Sequence, residues 1–516
     1  LISQRNKLSS TISRDPARAS HHLFDDLKVL KRRVKSQIRA EAKKFGQTVF
    51  KSADHKESWR LIKTTTFTNT RESCNGVNLE QLNEFFASIV YSPTDLNDTS
   101  PIGCDTVNCF SQSVLSNLDV FKALIAIKSS ASAGPDGLPG HLLQKLVPEI
   151  TPNLTKILNA SMSQSCFPHA WKEAHVSPVY KQKGPRKDPN NYRPISVLPI
   201  LARVFEKLVA SELQLFCDAR HVIPEQQFGF RKQSSCELAL ISTVDKWRGA
   251  IDNGLLVGTL LLDMSKAFDS IPHSLLLQEL QAVHCSSNTL QWFFSYLSGR
   301  RQRVVTSSGS CPWKLISRGV PQGSCLSPLL FNLYVRDLPR CTSSSCLQFA
   351  DDTSLSEADR SLGVIIDKLT SSFHDVSDFC TNKGLSLNTS KTQFIVIKSA
   401  GKRILDEPVI TLGSVVIPAL KSVKLLGVTI DRHLTFADHI RTTIQKCHGI
   451  LGALRRAAPS LPKELLRLAY IALVRSHLEY CSGVLVSMAM THSGRLEVVQ
   501  KIAARIICNA PRNAHS

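Results

Sequence analysis

The run LLVGTLLLDMSKAFDSI, residues 255–271, decides the fold. Its opening positions are β-prone and almost wholly apolar, the signature of a strand buried on both faces, and that character stops abruptly at Asp263. A carboxylate is therefore expected at the C-terminal end of a buried strand, where it is dehydrated enough to hold a hard cation. An aspartate there can also simply cap the following helix, and the run alone leaves both readings open.

A second stretch, LQFADDTSL at 347–355, sets Asp351 and Asp352 side by side between short β-prone segments. At a hairpin tip the two repel each other, and a bound divalent cation is the simplest way to keep both ionised. An ordinary aspartate-rich turn is the alternative unless a third carboxylate joins them. Asp263 is that third candidate. Three carboxylates gathered by two strands would build a site for two magnesium ions, one activating a hydroxyl and one steadying a leaving pyrophosphate, which is nucleotidyl transfer.

Outward from these stretches, β-rich runs at 255–262, 303–306, 393–397 and 423–430 alternate with helical segments from about Val114 onward, which indicates an α+β body. Upstream, Leu23, Leu27, Leu30, Val34 and Ile38 recur at helical spacing beside Lys31, Arg32, Arg33, Lys35 and Arg39. That pattern predicts a basic amphipathic helix, either solvated and packed on the body or touching nucleic acid directly. An apolar stretch at 79–90 leads into 91–113, rich in Ser, Thr, Asn, Asp and Pro, which reads as a linker. After Asp438 the pattern is purely helical: Ile440, Ile444, Cys447, Leu451 and Leu454 share one face, Pro462 opens a second helix to about Tyr480, and 495–508 form a third.

The composition agrees with such a molecule. A chain of 516 residues that is 42% hydrophobic has material for several packed units, which excludes a small disulfide scaffold and a wholly disordered chain. The net charge of +21 is uneven, with +10 over 1–63, +7 over 438–516 and only +4 between them. A near-neutral body with cationic flanks suits a polyanion, nucleic acid ahead of an acidic membrane surface. The 15 cysteines lack C-x-x-C or zinc-ligand spacing and read as mostly free thiols of a reducing compartment. The most apolar uncharged run, 319–335, is interrupted by Pro321, Gln322, Pro328 and Asn332, poor material for a membrane span. The polar, basic opening residues give no expectation of a secretory signal, and a start at Leu1 suggests a piece of a longer frame.

Taken in order, these stretches and their neighbours resemble the reverse transcriptases of LINE-type non-LTR retrotransposons of the jockey-like kind. The matching blocks are KSSASAGPDGL (128–138), NYRPISVL (191–198), EQQFGFRKQSSCELAL (225–240), the 263–269 stretch, RGVPQGSCLSP (318–328), FADD (349–352), GLSLNTSKTQFIVI (384–397) and KLLGVTI (424–430). The resemblance runs over about residues 60–516. It implies an α+β right-hand polymerase, with fingers and a palm carrying an antiparallel sheet over 114–437 and a helical thumb, truncated at its end, over 438–516. A helix and linker over 64–113 and the basic helical extension over 1–63 precede them.

The implied activity is RNA-templated DNA synthesis from a primer 3′-hydroxyl. Two Mg2+ ions, with Mn2+ as a substitute, would be held by Asp263, Asp351 and Asp352, the Met264 carbonyl completing one shell. Phe268 would lie beneath the incoming sugar and collide with a 2′-hydroxyl, unless it is simply core; with Ala350 it argues for DNA as the product. Lys181 and Arg193 would present cations to the triphosphate, with Lys183 or Arg186 able to replace Lys181. Gln322 would hydrogen-bond near the nucleotide, and Gly323 would let the backbone approach the template or base pair. Ser327 and Pro328 read as N-cap and first position of the next helix. Lys391 is either the lysine that protonates pyrophosphate or a solvated charge. Arg231, Arg455, Arg456 and Arg467 would contact the template and primer.

The implied partners are an RNA template, a DNA or RNA primer and dNTPs, with no membrane. The implied location is intracellular, in the nucleus and/or cytoplasm where such elements insert. Residues 1–63 are too few for the nicking endonuclease of such elements, and no Cys/His knuckle follows the body. The rivals are another right-hand polymerase, such as a group II intron maturase or an RNA-dependent RNA polymerase, and a catalytically silent RNA-binding remnant. The intact aspartate triad favours an enzyme.

Overall fold

The structure, a computed structural model, describes residues 1–14, 21–52, 55–66, 77–88, 109–404, 407–486, 488–511 and 514. It divides into two compact units: Glu72–Leu426, and the two chain ends Leu1–Arg71 with Gly427–Ser516. The architecture is mixed helix and sheet, as an α+β reading requires.

The first unit holds the strands β1 (Glu173–Tyr180), β2 (Tyr192–Val197), β3 (Leu256–Leu262), β4 (Arg300–Thr306), β5 (Gly309–Ser310), β6 (Lys314–Ile316), β7 (Ser345–Phe349), β8 (Asp352–Asp359) and β9 (Gln393–Ile397). They form two sheets. One is antiparallel throughout, in the order β7-β8-β3-β9. The other runs β2-β1-β4-β5 with β6 also on β4, and β1 lies parallel to β4. Every β3 residue except Leu261 is buried. The strand has a hydrogen-bonded neighbour on each side, and the helices Cys236–Asp252 and Leu362–Asn382 pack on it. That is why its sequence shows no alternation. Beside this sheet an aromatic cluster fills the core: Trp292 stacks on Tyr296 with centroids 5.7 Å apart, and Phe167 meets both rings edge-on at 5.5 and 5.1 Å.

In the second unit the helix Ala437–Ala457 buries Ile440, Cys447, Leu451 and Leu454 on the predicted face, and the helices Lys463–Tyr470 and Met490–Cys508 complete the core with it. The sequence reading set 1–63 apart from this bundle. In the structure Ile62, on the helix His55–Thr66, is fully buried in the same core. The basic helix spans His21–Lys51 and buries Leu27 and Val34, whereas Ile38 is 54% exposed, so the predicted stripe is covered only in part.

Three local expectations change. The 423–430 run is two strands, Ser422–Leu425 and Val428–Asp431, because Leu426 and Gly427 take positive φ. The helix opened by Pro462 stops at Tyr470 and continues as a π turn over Ile471–Arg475. Most of the 91–113 stretch, up to residue 108, lies outside the described residues. Phe110 is already tied into the fold, its N–H donating to the His284 carbonyl at 2.8 Å, ahead of the expected onset at Val114. Among the described residues no helix is long and apolar enough to cross a membrane.

Candidate active site

β8 runs antiparallel to β3 with Leu262 opposite Thr353, so Asp263 and Asp352 leave the same end of one ladder. β7 and β8 close as a tight hairpin with Phe349 opposite Asp352, which leaves Ala350 and Asp351 as the turn. The three carboxylates act on one another. Burial pushes the Asp351 carboxyl up, and Asp263 adds to the shift. Asp352 is pushed up to about 6, first by burial and then by Asp351 and Asp263. Arg193 opposes both shifts.

Cations surround this acidic end. Lys391, on the turn Thr389–Lys391, donates its Nζ to Asp263 Oδ2 at 3.1 Å. The two side chains are 63% and 40% exposed, and so open a pair adds little to stability. Lys181 follows β1 and donates to the Asn190 carbonyl at 2.8 Å. Partial burial pushes its ammonium down, as do Lys391 and Arg193, while Asp263 and Asp188 pull the other way. Arg193, exposed on β2, pairs in register with Val179 of β1. Six predicted residues from separate strands and turns thus share one electrostatic neighbourhood. Of the replacements for Lys181, Lys183 lines an open cavity with Asp263 and Lys391, and Arg186 stacks over the Tyr180 ring at 5.1 Å.

Phe268 is half-buried, stacked on Phe331 at 4.6 Å with Phe230 edge-on at 6.3 Å, so packing fixes the ring. At Met264 the bridge to Leu387 runs through its neighbours: Asn388 N–H donates to the Asp263 carbonyl at 2.8 Å and Ser265 N–H to the Ser386 carbonyl at 2.9 Å. The Met264 carbonyl therefore takes no part in that bridge.

The structure revises four readings. Gly323, at φ +138, lies against the chain's own β2, where a Cβ would come within 2.3 Å of the Ser196 carbonyl oxygen. The fold itself thus requires glycine at this position. Gln322 gives its Nε2 to Asp269 Oδ2 at 2.9 Å, and its carbonyl accepts from Ser196 N–H at 2.8 Å. Ser327 does not cap the next helix, Ser327–Tyr334; Ser324 Oγ accepts from the N–H groups of Leu326 and Ser327 at 3.0 and 3.3 Å. Arg231, read as a template or primer contact, is half-buried and donates its Nη1 to the Pro224 and Gln227 carbonyls at 2.8 and 3.3 Å, bracing its own loop. Arg455, Arg456 and Arg467 are exposed on helices of the other unit.

Two acids, half-buried Asp269 and fully buried Glu206, carry roles that the sequence reading gave to no residue. Asp269 has its carboxyl pushed up to about 6 by burial, with Gln322, Lys266 and Lys181 opposing. Glu206, fully buried on the helix Ile200–Ala219, accepts from Tyr296 Oη at 2.8 Å and from Cys325 N–H at 3.0 Å, and so holds the loop that follows Gln322. A glutamate on the apolar face of an amphipathic helix is the signal that would have found it.

Among the described residues no three His, Cys, Asp or Glu side chains close around a metal position. The donor chemistry nevertheless fits a hard divalent cation. The carboxylates offer only oxygen, and burial and mutual repulsion hold up the protons on Asp351 and Asp352, a strain that a bound dication relieves.

Comparison with known proteins agrees with this arrangement. Residues 181–430 match the family described as reverse transcriptase (RNA-dependent DNA polymerase). The chain is 29% identical over 402 residues to a probable RNA-directed DNA polymerase from transposon X-element of Drosophila melanogaster, covering 75% of this chain and 43% of that protein. It is 27% identical over 410 residues to the RNA-directed DNA polymerase from mobile element jockey of Drosophila funebris, covering 76% and 44%. It is 30% identical over 359 residues to a putative 115 kDa protein in the type-1 retrotransposable element R1DM of Drosophila melanogaster, covering 66% and 33%. The chain thus spans less than half the length of these relatives. With its carboxylate-ended central strand, its Asp-Asp hairpin and these matches, the chain resembles the LINE-type, jockey-like reverse transcriptases of non-LTR retrotransposons over the residues matched.

Proposed function

We propose that the chain is an RNA-directed DNA polymerase that extends a primer 3′-hydroxyl with dNTPs on an RNA template. The observation that carries this reading is that Asp263 and Asp352 leave one end of the β3–β8 ladder with Asp351 on the adjoining turn, and that Lys391, Lys181 and Arg193 act on the same end. The β7-β8-β3-β9 sheet is the palm, the sheet of β1, β2 and β4 the fingers, and the 438–516 helices the thumb.

Asp263, Asp351 and Asp352, with the Met264 carbonyl, would hold two Mg2+ or Mn2+ ions, which make the primer hydroxyl a better nucleophile and offset the charge of leaving pyrophosphate. Lys181 and Arg193 bind the triphosphate, Arg193 by the two-pronged geometry of its guanidinium. Lys391, already at the Asp263 carboxylate, is placed to hand a proton to the departing pyrophosphate. The Phe268 ring, pinned by Phe331 and Phe230, selects against a 2′-hydroxyl by collision. Gln322, Gly323 and Arg231 act through the loops they order around nucleotide and template. Arg455, Arg456 and Arg467 track duplex phosphates. Such work would take place inside the cell, in the nucleus and/or cytoplasm.

The test is primer extension by the purified chain on a primed RNA template with dNTPs and Mg2+, against Asp351→Ala. Extension by the parent alone is the expected result. Equal extension by both removes Asp351 from the chemistry, and none by the parent sinks the polymerase reading in favour of a silent RNA-binding remnant. Ribonucleotides used as readily as dNTPs would favour an RNA polymerase.

A further inference from the structure

The turn that carries Asp351 is held by more than its own hairpin. Residues 226–228 run beside β7: Gln348 N–H donates to the Gln226 carbonyl and Phe228 N–H to the Gln348 carbonyl, each at 2.9 Å. The result is a short parallel bridge centred on Gln227 and Gln348. From it the Gln227 side chain, 1% exposed, crosses to Ala350. Its Oε1 accepts the Ala350 N–H at 2.9 Å and the Gly229 N–H at 2.8 Å, and its Nε2 donates to the Ala350 carbonyl at 3.4 Å.

One side-chain amide thus touches both the N–H and the carbonyl of the residue before the carboxylate pair. Ala350 sits at φ +58, a left-handed conformation that a residue with a Cβ keeps only when its surroundings fix it. The approach leaves no slack, since a Cβ on Gly229 would come within 2.2 Å of the Ala350 nitrogen. Asn332 closes the arrangement from outside by donating its Nδ2 to the Gly229 carbonyl at 2.8 Å.

We infer that Gln227 is a positioning residue for the polymerase site, clamping the Ala350 peptide and so setting where Asp351 and Asp352 leave the turn. The inference deepens the polymerase reading and rests on it. A built-in control separates clamping from packing. Gln348 is equally buried in the same bridge, yet its side-chain nitrogen and oxygen have no hydrogen-bond partner among the described residues. It is a buried amide of the same size that does not hold the turn.

The experiment compares Gln227→Met and Gln348→Met with the parent by primer extension, and by amide exchange of the 348–352 segment in metal-free protein. In Q227M, kcat is expected to fall about 10- to 100-fold while KM for dNTP stays within about twofold. Exchange at 348–352 is expected to quicken at least about tenfold while β3 stays protected. Q348M should change neither readout. Gln227→Glu, which keeps the accepting oxygen, should retain slow exchange, and it carries the test if the Met variant fails to fold. Unchanged kcat and exchange in Q227M, equal losses in Q348M, or fast exchange in Q227E would each overturn the clamp. If the parent extends no primer, the polymerase reading fails, while the exchange comparison still decides whether Gln227 fixes the turn.

Discussion

Two sheets of the Glu72–Leu426 unit, β7-β8-β3-β9 and the one built on β1, β2 and β4, handle charge in opposite ways. The β7-β8-β3-β9 sheet presents its carboxylates from the end of a strand buried along almost its whole length and from a two-residue turn. The β1–β2 hairpin of the other sheet presents Lys181 and Arg193 from exposed positions. A short aspartate side chain has no reach, so its backbone must be placed to within a fraction of an ångström, and burial does this. A long cation finds a phosphate from a less rigid base. Geometry on the acidic side and reach on the basic side are therefore expected to fail differently when perturbed.

The largest break should come from the acidic sheet. Asp263→Asn is expected to lower kcat about a thousand-fold, the rate equivalent of several kcal/mol of lost charge stabilisation, with dNTP affinity nearly unchanged. A loss confined to KM would erase the contrast between the two sheets. On the basic side, Arg193→Ala should instead raise KM for dNTP about 10- to 100-fold and respond to salt, as one charge-assisted phosphate contact worth a few kcal/mol would. Measuring both parameters for both variants at two ionic strengths is the check.

A sharper comparison concerns Phe268, which follows β3 on the short helix Ala267–Ser270 and would act by shape. Phe268→Val should admit ribonucleotides about tenfold more readily relative to dNTPs, with little change in dNTP use. Unaltered discrimination in competition assays would leave the ring as core alone.

The smallest effect is on stability and concerns Asp269. Its carboxyl is raised from 3.8 to about 6 by burial, so the folded state holds a proton that the unfolded chain has already released. Stability therefore falls as pH rises between about 4 and 6, and the deficit persists above that range. Asp269→Asn keeps the acceptor for Gln322 and removes the charge. It should melt higher than the parent at pH 8, by at most about 3 kcal/mol for a shift of about two units, and match it below about pH 4. An equal melting temperature at pH 8 would show that Lys266 and Lys181 already compensate the charge.

Much of the site was legible because its signals are local. The apolar run ending at Asp263 and the paired Asp351 and Asp352 each announce a strand end within a few residues, and Lys391 stands on a turn just ahead of β9. Long-range partners gave no such signal. Nothing around Gly323 states that its neighbour is Ser196, and nothing around Arg231 states that its guanidinium is committed to its own loop. The joining of Ile62 to the core of the 427–516 helices is equally silent in the spacing of either segment.

Sequence alone determined the alternation of strands and helices, the three carboxylates, and the cationic character of the chain ends, because hydrophobic period and charge are properties of neighbours along the chain. Only the tertiary structure decided which polar groups meet near that sheet end: Glu206 on the Cys325 amide, Asp269 on Gln322, Gln227 on Ala350. Those choices belong to the fold because a buried donor or acceptor must find its partner wherever the chain returns, and Gln227 and Ala350 are 123 residues apart.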